Sequence, residues 1–141
     1  VVVMLAAMIP VGQALETSGI SLNIANFIST TTHGMDLPWL ILMILVITMF
    51  VSDIVNNAAT AVIMAPIAAN LALQVGQPVE PFLMAVAVGA SCAFLSPIGH
   101  QCNTLVMAPG NYKFGDYWRL GLPLECVIVA ISIPMILFVW T

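Results

Sequence analysis

Ser52, Asp53, Asn56 and Asn57 stand close together in the stretch "FVSDIVNNAATAVIMAPIA" (50–68), between two apolar runs. A second polar interruption, "SPIGHQCNT" (Ser96–Thr104), follows another apolar run. Together the two stretches supply side-chain amides, hydroxyls and the His100 imidazole, with no fixed positive charge. If each interruption breaks a helix, further chemistry follows. A broken helix leaves carbonyl oxygens without partners at the end of its first half, and N–H groups without partners at the start of its second. The first end carries partial negative charge and the second partial positive charge. A small cation suits the oxygens, and an anion suits the N–H groups.

Each residue also has a plainer use. Asn56-Asn57 can form a simple turn between two bundled helices, with either residue as the cap of the next helix. Asp53 can be a helix-end acid in a hydrated vestibule, and His100 a pore-lining hydrogen bonder. Ser91 and Ser96 can satisfy backbone carbonyls. Glu125 lies in an apolar segment, where a lipid-facing acid is expensive. It is therefore expected near an interface or against protein. Tyr112, Tyr117 and Trp118 suit an interfacial belt, with no binding role.

Composition restricts the setting for this chemistry. Of 141 residues, 62% are hydrophobic and 6% are charged, against about 25% charged in soluble domains. Most of the surface must therefore suit lipid or other protein. Lys113 and Arg119 are the two basic residues, against six acids. They form no basic patch, which excludes a nucleic-acid partner. Cys92, Cys102 and Cys126 lack metal-type spacing and are expected to pack as small hydrophobes. No cofactor is implied. Nor is an enzyme, because one histidine among scattered acids makes no catalytic set.

The apolar segments that position the two breaks follow from the pattern. Residues 1–28 predict a helix or a broken pair, starting at Val1-Val2-Val3 without a signal peptide, as if inside a longer chain. Ser29–Pro38 and Gln74–Pro81 predict loops from their Ser, Thr, Gly and Pro content. Between the loops, 39–73 predicts a hairpin with its tip at Asp53–Asn57. Residues 82–108 predict a broken helix whose first half ends at Phe94–Pro97 and whose second is capped by Asn103 and Thr104. Pro97 bars simple continuation. A polar connector, 109–121, leads to a final helix, 122–140. Only that helix approaches the roughly 20 uninterrupted apolar residues a membrane crossing needs. Short apolar segments around polar breaks predict re-entrant and discontinuous helices. The positive-inside rule places the 109–121 connector, with Lys113 and Arg119, in the cytoplasm. The two loops then lie outside, and 39–73 must enter and leave on the same face. The expected fold is all-α, a polytopic membrane protein in a lipid bilayer.

"SDIVNNAATAVIMAPIA" followed by "GASCAFLSPIGHQCNTLVMAPGNYKFGDYWRLGLPLE" resembles the second half of the divalent anion:sodium symporters. These belong to a superfamily that also holds citrate–metal and arsenite permeases. The resemblance implies one of two inverted repeats, with the partner repeat in an N-terminal part of the same polypeptide. In the family, a Ser-Asn-Thr hairpin tip and a facing unwound helix hold sodium and part of the substrate. Here the tip falls on Asn56, Asn57 and Ala58, so only the central Asn matches. The implied sodium ligands are Ser52, the backbone of Val55, Asn57, and the backbones of Gly99 and Gln101. The implied substrate contacts are Asn56, Asn57 and His100. His100 suits an oxyanion such as sulfate or adds pH sensitivity. The implied mechanism is elevator-like symport of a small divalent anion at the cell membrane, in a protein that can form a homodimer. The alternatives to a dicarboxylate or sulfate symporter are an arsenite or citrate–metal-type permease of the same superfamily, a non-transporting membrane receptor or anchor built on the same scaffold, or a channel.

Overall fold

The computed structural model describes residues 2–31, 34 and 36–140. Val1 and part of the predicted 29–38 loop lie outside the described residues. The rest forms helices α1 (Val2–Thr17), α2 (Ile20–Thr31), α3 (Leu37–Ile54), α4 (Asn57–Val75), α5 (Glu80–Ser91), α6 (Gln101–Met107) and α7 (Phe114–Trp140), with no strand among the described residues. Three of them, α3, α4 and α7, are long and apolar enough to cross a membrane. The architecture is an all-α polytopic membrane fold.

Several boundaries differ from the sequence expectation. Of the two readings of 1–28 the broken pair is the one found, because Gly19 adopts a left-handed φ of 71° that ends α1. Segments 39–53 and 58–73 looked short for a crossing, but Pro38 sits in the first turn of α3, and α4 runs to a left-handed Gly76 cap. They reach 18 and 19 residues, or about 27 Å at 1.5 Å per residue. Phe114–Gly121, predicted as connector, forms the start of α7, so the connector contracts to 108–113. There Asp116 accepts from the Lys113 N–H at 2.8 Å and caps the new helix start.

The core follows helical periodicity. Leu40, Ile41, Ile44, Leu45 and Met49 of α3 face Met64, Ile67, Ala68 and Leu71 of α4 and Phe82, Ala85 and Val86 of α5 in one buried cluster. At Gly89 an added Cβ would lie 2.9 Å from Thr48 Cβ, so α5 and α3 approach closely just before the break. On the other flank, α1 and α2 pack against α4. Asn70 Nδ2 donates to Ser21 Oγ there at 3.4 Å. By contrast α7 packs on α3 and α5 along one face only, with Gly121 and Ile136 its buried residues.

Candidate functional site

The first interruption is a two-residue tip, Val55-Asn56, between α3 and α4. Val55 is extended, and its N–H closes α3 on the Val51 carbonyl at 2.8 Å. Asn56, also extended, is the N-cap of α4; its Oδ1 accepts from the Ala59 N–H at 2.9 Å. Asn57 is thereby the first residue of α4, and its side chain faces away from the cap.

That side chain meets the second interruption. One end of the Asn57 carboxamide lies 3.1 Å from Ser52 Oγ, 3.2 Å from the Ala90 carbonyl and 3.1 Å from the Gly99 carbonyl. Ser52 Oγ in turn donates to the Ala90 carbonyl at 2.8 Å. Ala90 belongs to the last turn of α5, and Gly99 just precedes α6. Two helix C-termini and two N-termini thus converge on Asn57. The carboxamide can face this set in two ways. With its nitrogen inward it donates to the oxygens. With Oδ1 inward, Ser52 Oγ can donate to it, and four oxygens share one small space. Like partial charges then favour a cation among them.

Nine residues, Cys92–His100, separate α5 from α6, and tertiary contacts hold them in place. The α5 helix ends at Ser91 with Cys92 as its cap, three residues before the predicted Phe94–Pro97 end. The reason is the Asp53 carboxylate, whose Oδ1 accepts from the Leu95 N–H at 3.0 Å. Glu125 Oε1 accepts from the preceding amide, Phe94 N–H, at 3.4 Å. Ser96 Oγ donates to the Asp53 carbonyl at 2.5 Å and accepts from the Ile98 and Gly99 amides, each at 3.2 Å. Asn103 Nδ2 donates to the Ala93 and Ser96 carbonyls at 2.9 and 3.1 Å, and Thr104 Oγ1 to the Pro97 carbonyl at 2.6 Å. Gly99 is required here: a Cβ would lie 2.7 Å from the Ser52 carbonyl oxygen.

The structure therefore brings Ser52, Asn57 and Gly99 together. Asn103 and Thr104 do not cap α6 as expected. His100 does, its Nδ1 accepting from the Cys102 N–H at 3.1 Å, which puts the ring proton on Nε2. Asn103 and Thr104 reach back from the first turn to staple the break. Gln101 opens α6 and is exposed, while Val55 sits at the tip beside Asn56, whose oxygen is committed to its cap.

Three roles differ from the sequence expectation or lie outside it. Asp53 is buried at 7% exposure instead of lining a hydrated vestibule, and its Oδ2 has no hydrogen-bond partner among the described residues. Ala90 contributes through its carbonyl, which no side chain signals. Tyr117 is a strut, its hydroxyl donating to the Asn103 carbonyl at 2.7 Å, while Glu125 lies against protein, one of the two placements expected for it. Ser91 and Ser96 do satisfy backbone carbonyls. Of the cysteines Cys92 is buried, whereas Cys102 and Cys126 are exposed, which corrects the expectation that all three pack inside.

Residues 1–141 match the family model described as citrate transporter. An uncharacterized transporter of Synechocystis is 38% identical over 136 residues, covering 96% of this chain and 22% of that protein. A probable sodium/sulfate cotransporter 3 of Chlamydomonas reinhardtii is 34% identical, covering 91% of this chain and 14% of that protein. The sodium-dependent high-affinity dicarboxylate transporter 3 of Caenorhabditis elegans is 30% identical, covering 93% and 23%. The chain thus spans less than a quarter of the length of these relatives.

Proposed function

The chain belongs to the citrate transporter family, and from that premise we propose that it forms half of the transport site of a sodium-coupled symporter for a small divalent anion. One observation supports the cation most: the Asn57 carboxamide opposite Ser52 Oγ and the Ala90 and Gly99 carbonyls. These are hard, uncharged oxygen donors, suited to an alkali cation. The relatives' names, sodium/sulfate cotransporter and sodium-dependent dicarboxylate transporter, fit the same reading.

Coupling follows from the amide's two ends. Without a cation the nitrogen faces the oxygens and is consumed by them. A sodium ion favours Oδ1 inward, which turns the NH₂ to the opposite side, where it donates to an anion. There it joins the positive end of α4, with the Nε2–H of His100 as a further donor. Cation binding thereby creates an anion donor, and by linkage the anion strengthens cation binding equally. The other half of the site comes from the partner repeat of the longer polypeptide. The 108–113 connector, which ends in Lys113 and leads to Arg119 in the first turns of α7, lies on the cytoplasmic side.

The test is uptake of labelled sulfate and of a C4 dicarboxylate into vesicles carrying the full-length parent, with and without an inward sodium gradient. The gradient should accelerate one of the two, and Asn57→Ala should abolish that stimulation. Uptake indifferent to sodium removes sodium from the mechanism.

A further inference from the structure

The α7 helix touches the broken helix through three residues spaced one turn apart, Tyr117, Gly121 and Glu125. Residues at i and i+4 share a helix face, so the three form one line. Tyr117 donates its hydroxyl to the Asn103 carbonyl at 2.7 Å. Gly121 lies so close that an added Cβ would overlap the Phe94 carbonyl and press on the Leu95 nitrogen. Glu125 accepts from the Phe94 N–H. Asp53 of α3 accepts from the next amide, Leu95 N–H. Two carboxylates from different helices therefore hold two successive amides of the unwound segment. Glu125 lies on a cleft of about 420 Å³ whose other lining residues, Met49, Phe50, Leu95 and Val129 among them, carry no charge. A carboxylate there is costly, so its hydrogen bond to the break marks a function beyond solubility.

We propose that this face of α7, together with Asp53, is a positioning device. It fixes the break so that the Ala90 and Gly99 carbonyls stay directed at Asn57. The residues act through the backbone they hold and touch no transported ion. The chain of contacts is short: Glu125 and Asp53 fix Phe94 and Leu95, Ser96 ties the following turn to Asp53, and Gly99 is pressed on the Ser52 backbone. Loosening α7 lets the carbonyls drift apart and weakens the cation site without removing a ligand. This proposal rests on the cation reading above.

The experiment uses the full-length parent in vesicles, reading sodium half-saturation separately from maximal uptake. Glu125→Leu removes the acceptor and should raise half-saturation roughly fivefold, the equivalent of one net hydrogen bond, with maximal uptake per transporter kept. Glu125→Gln keeps an acceptor oxygen and should restore the parental value. Tyr117→Phe, a milder change, should raise half-saturation in the same direction. A role in folding alone would lower the amount of transporter and leave half-saturation unmoved; that result overturns the proposal, as does a Gln variant as impaired as Leu. Hydrogen exchange over 92–100 in the same variants reads the hold directly. It should quicken in Glu125→Leu, and unchanged exchange overturns the proposal even if the parent proves indifferent to sodium, a result that would instead defeat the cation reading.

Discussion

The two interruptions meet at Asn57, yet they are built in opposite ways. The Val55-Asn56 tip closes itself: one backbone bond ends α3 and one side-chain bond starts α4, both within five residues. The Cys92–His100 break closes only its last turn by itself, where Ser96 Oγ accepts from the Ile98 and Gly99 amides. Its amides and carbonyls are satisfied by Asp53 from α3, Glu125 from α7, and Asn103 and Thr104 from α6. A two-residue tip exposes few backbone groups, so one asparagine suffices. A nine-residue break in an apolar setting exposes many, each costing several kcal/mol if unpaired. The tip is thus a local device, and the break is a tertiary one.

Mutations can break that contrast in order of expected effect. Gly99→Val forces a branched side chain onto the Ser52 backbone. It should cost about 1–3 kcal/mol as overpacking and abolish anion uptake, because the strain falls on the site itself; uptake at the parental level would show that the break can yield there. Asn103→Leu should come next. It leaves the Ala93 and Ser96 carbonyls without their donor, at about 1–3 kcal/mol for each buried acceptor. Proteolysis of the detergent-solubilised protein should then begin within 92–100, and cleavage elsewhere would mean the break is held without Asn103. Asn56→Ala is the smallest, about 0.5–2 kcal/mol for a lost N-cap. Thermal stability should fall while sodium half-saturation stays unchanged, and Asn56→Ser should recover most of the loss. A shift in anion half-saturation with stability intact would instead make Asn56 a substrate contact.

The contrast also explains what could be read in advance. The tip's polarity, the capping asparagine and the apolar flanks are all adjacent in sequence, and the hairpin was placed within a few residues. Pro97 marks the break in the sequence, but puts its start late, at Phe94–Pro97. Nothing near Ser91 announces that α5 stops there. The stop comes from carboxylates at 53 and 125, far along the chain. His100 took the cap expected of Asn103 for a related reason. Both can cap a helix, and the choice was made by the Ala93 and Ser96 carbonyls that Asn103 had to serve. Phe114–Gly121 reads as connector because its aromatic and charged residues resemble an interface, yet Tyr117 and Gly121 dock α7 on the break.

Sequence alone determined the apolar all-helical character and the two polar interruptions, because hydropathy and capping act over a turn or two of chain; it left Asn56 and Asn57 as equal candidates for the cap. Tertiary structure alone decided which oxygens face Asn57 and which groups hold the break. Backbone carbonyls such as those of Ala90 and Gly99 carry no side-chain signal. A carboxylate such as Glu125 acquires its partner only when another helix brings an unpaired amide within reach.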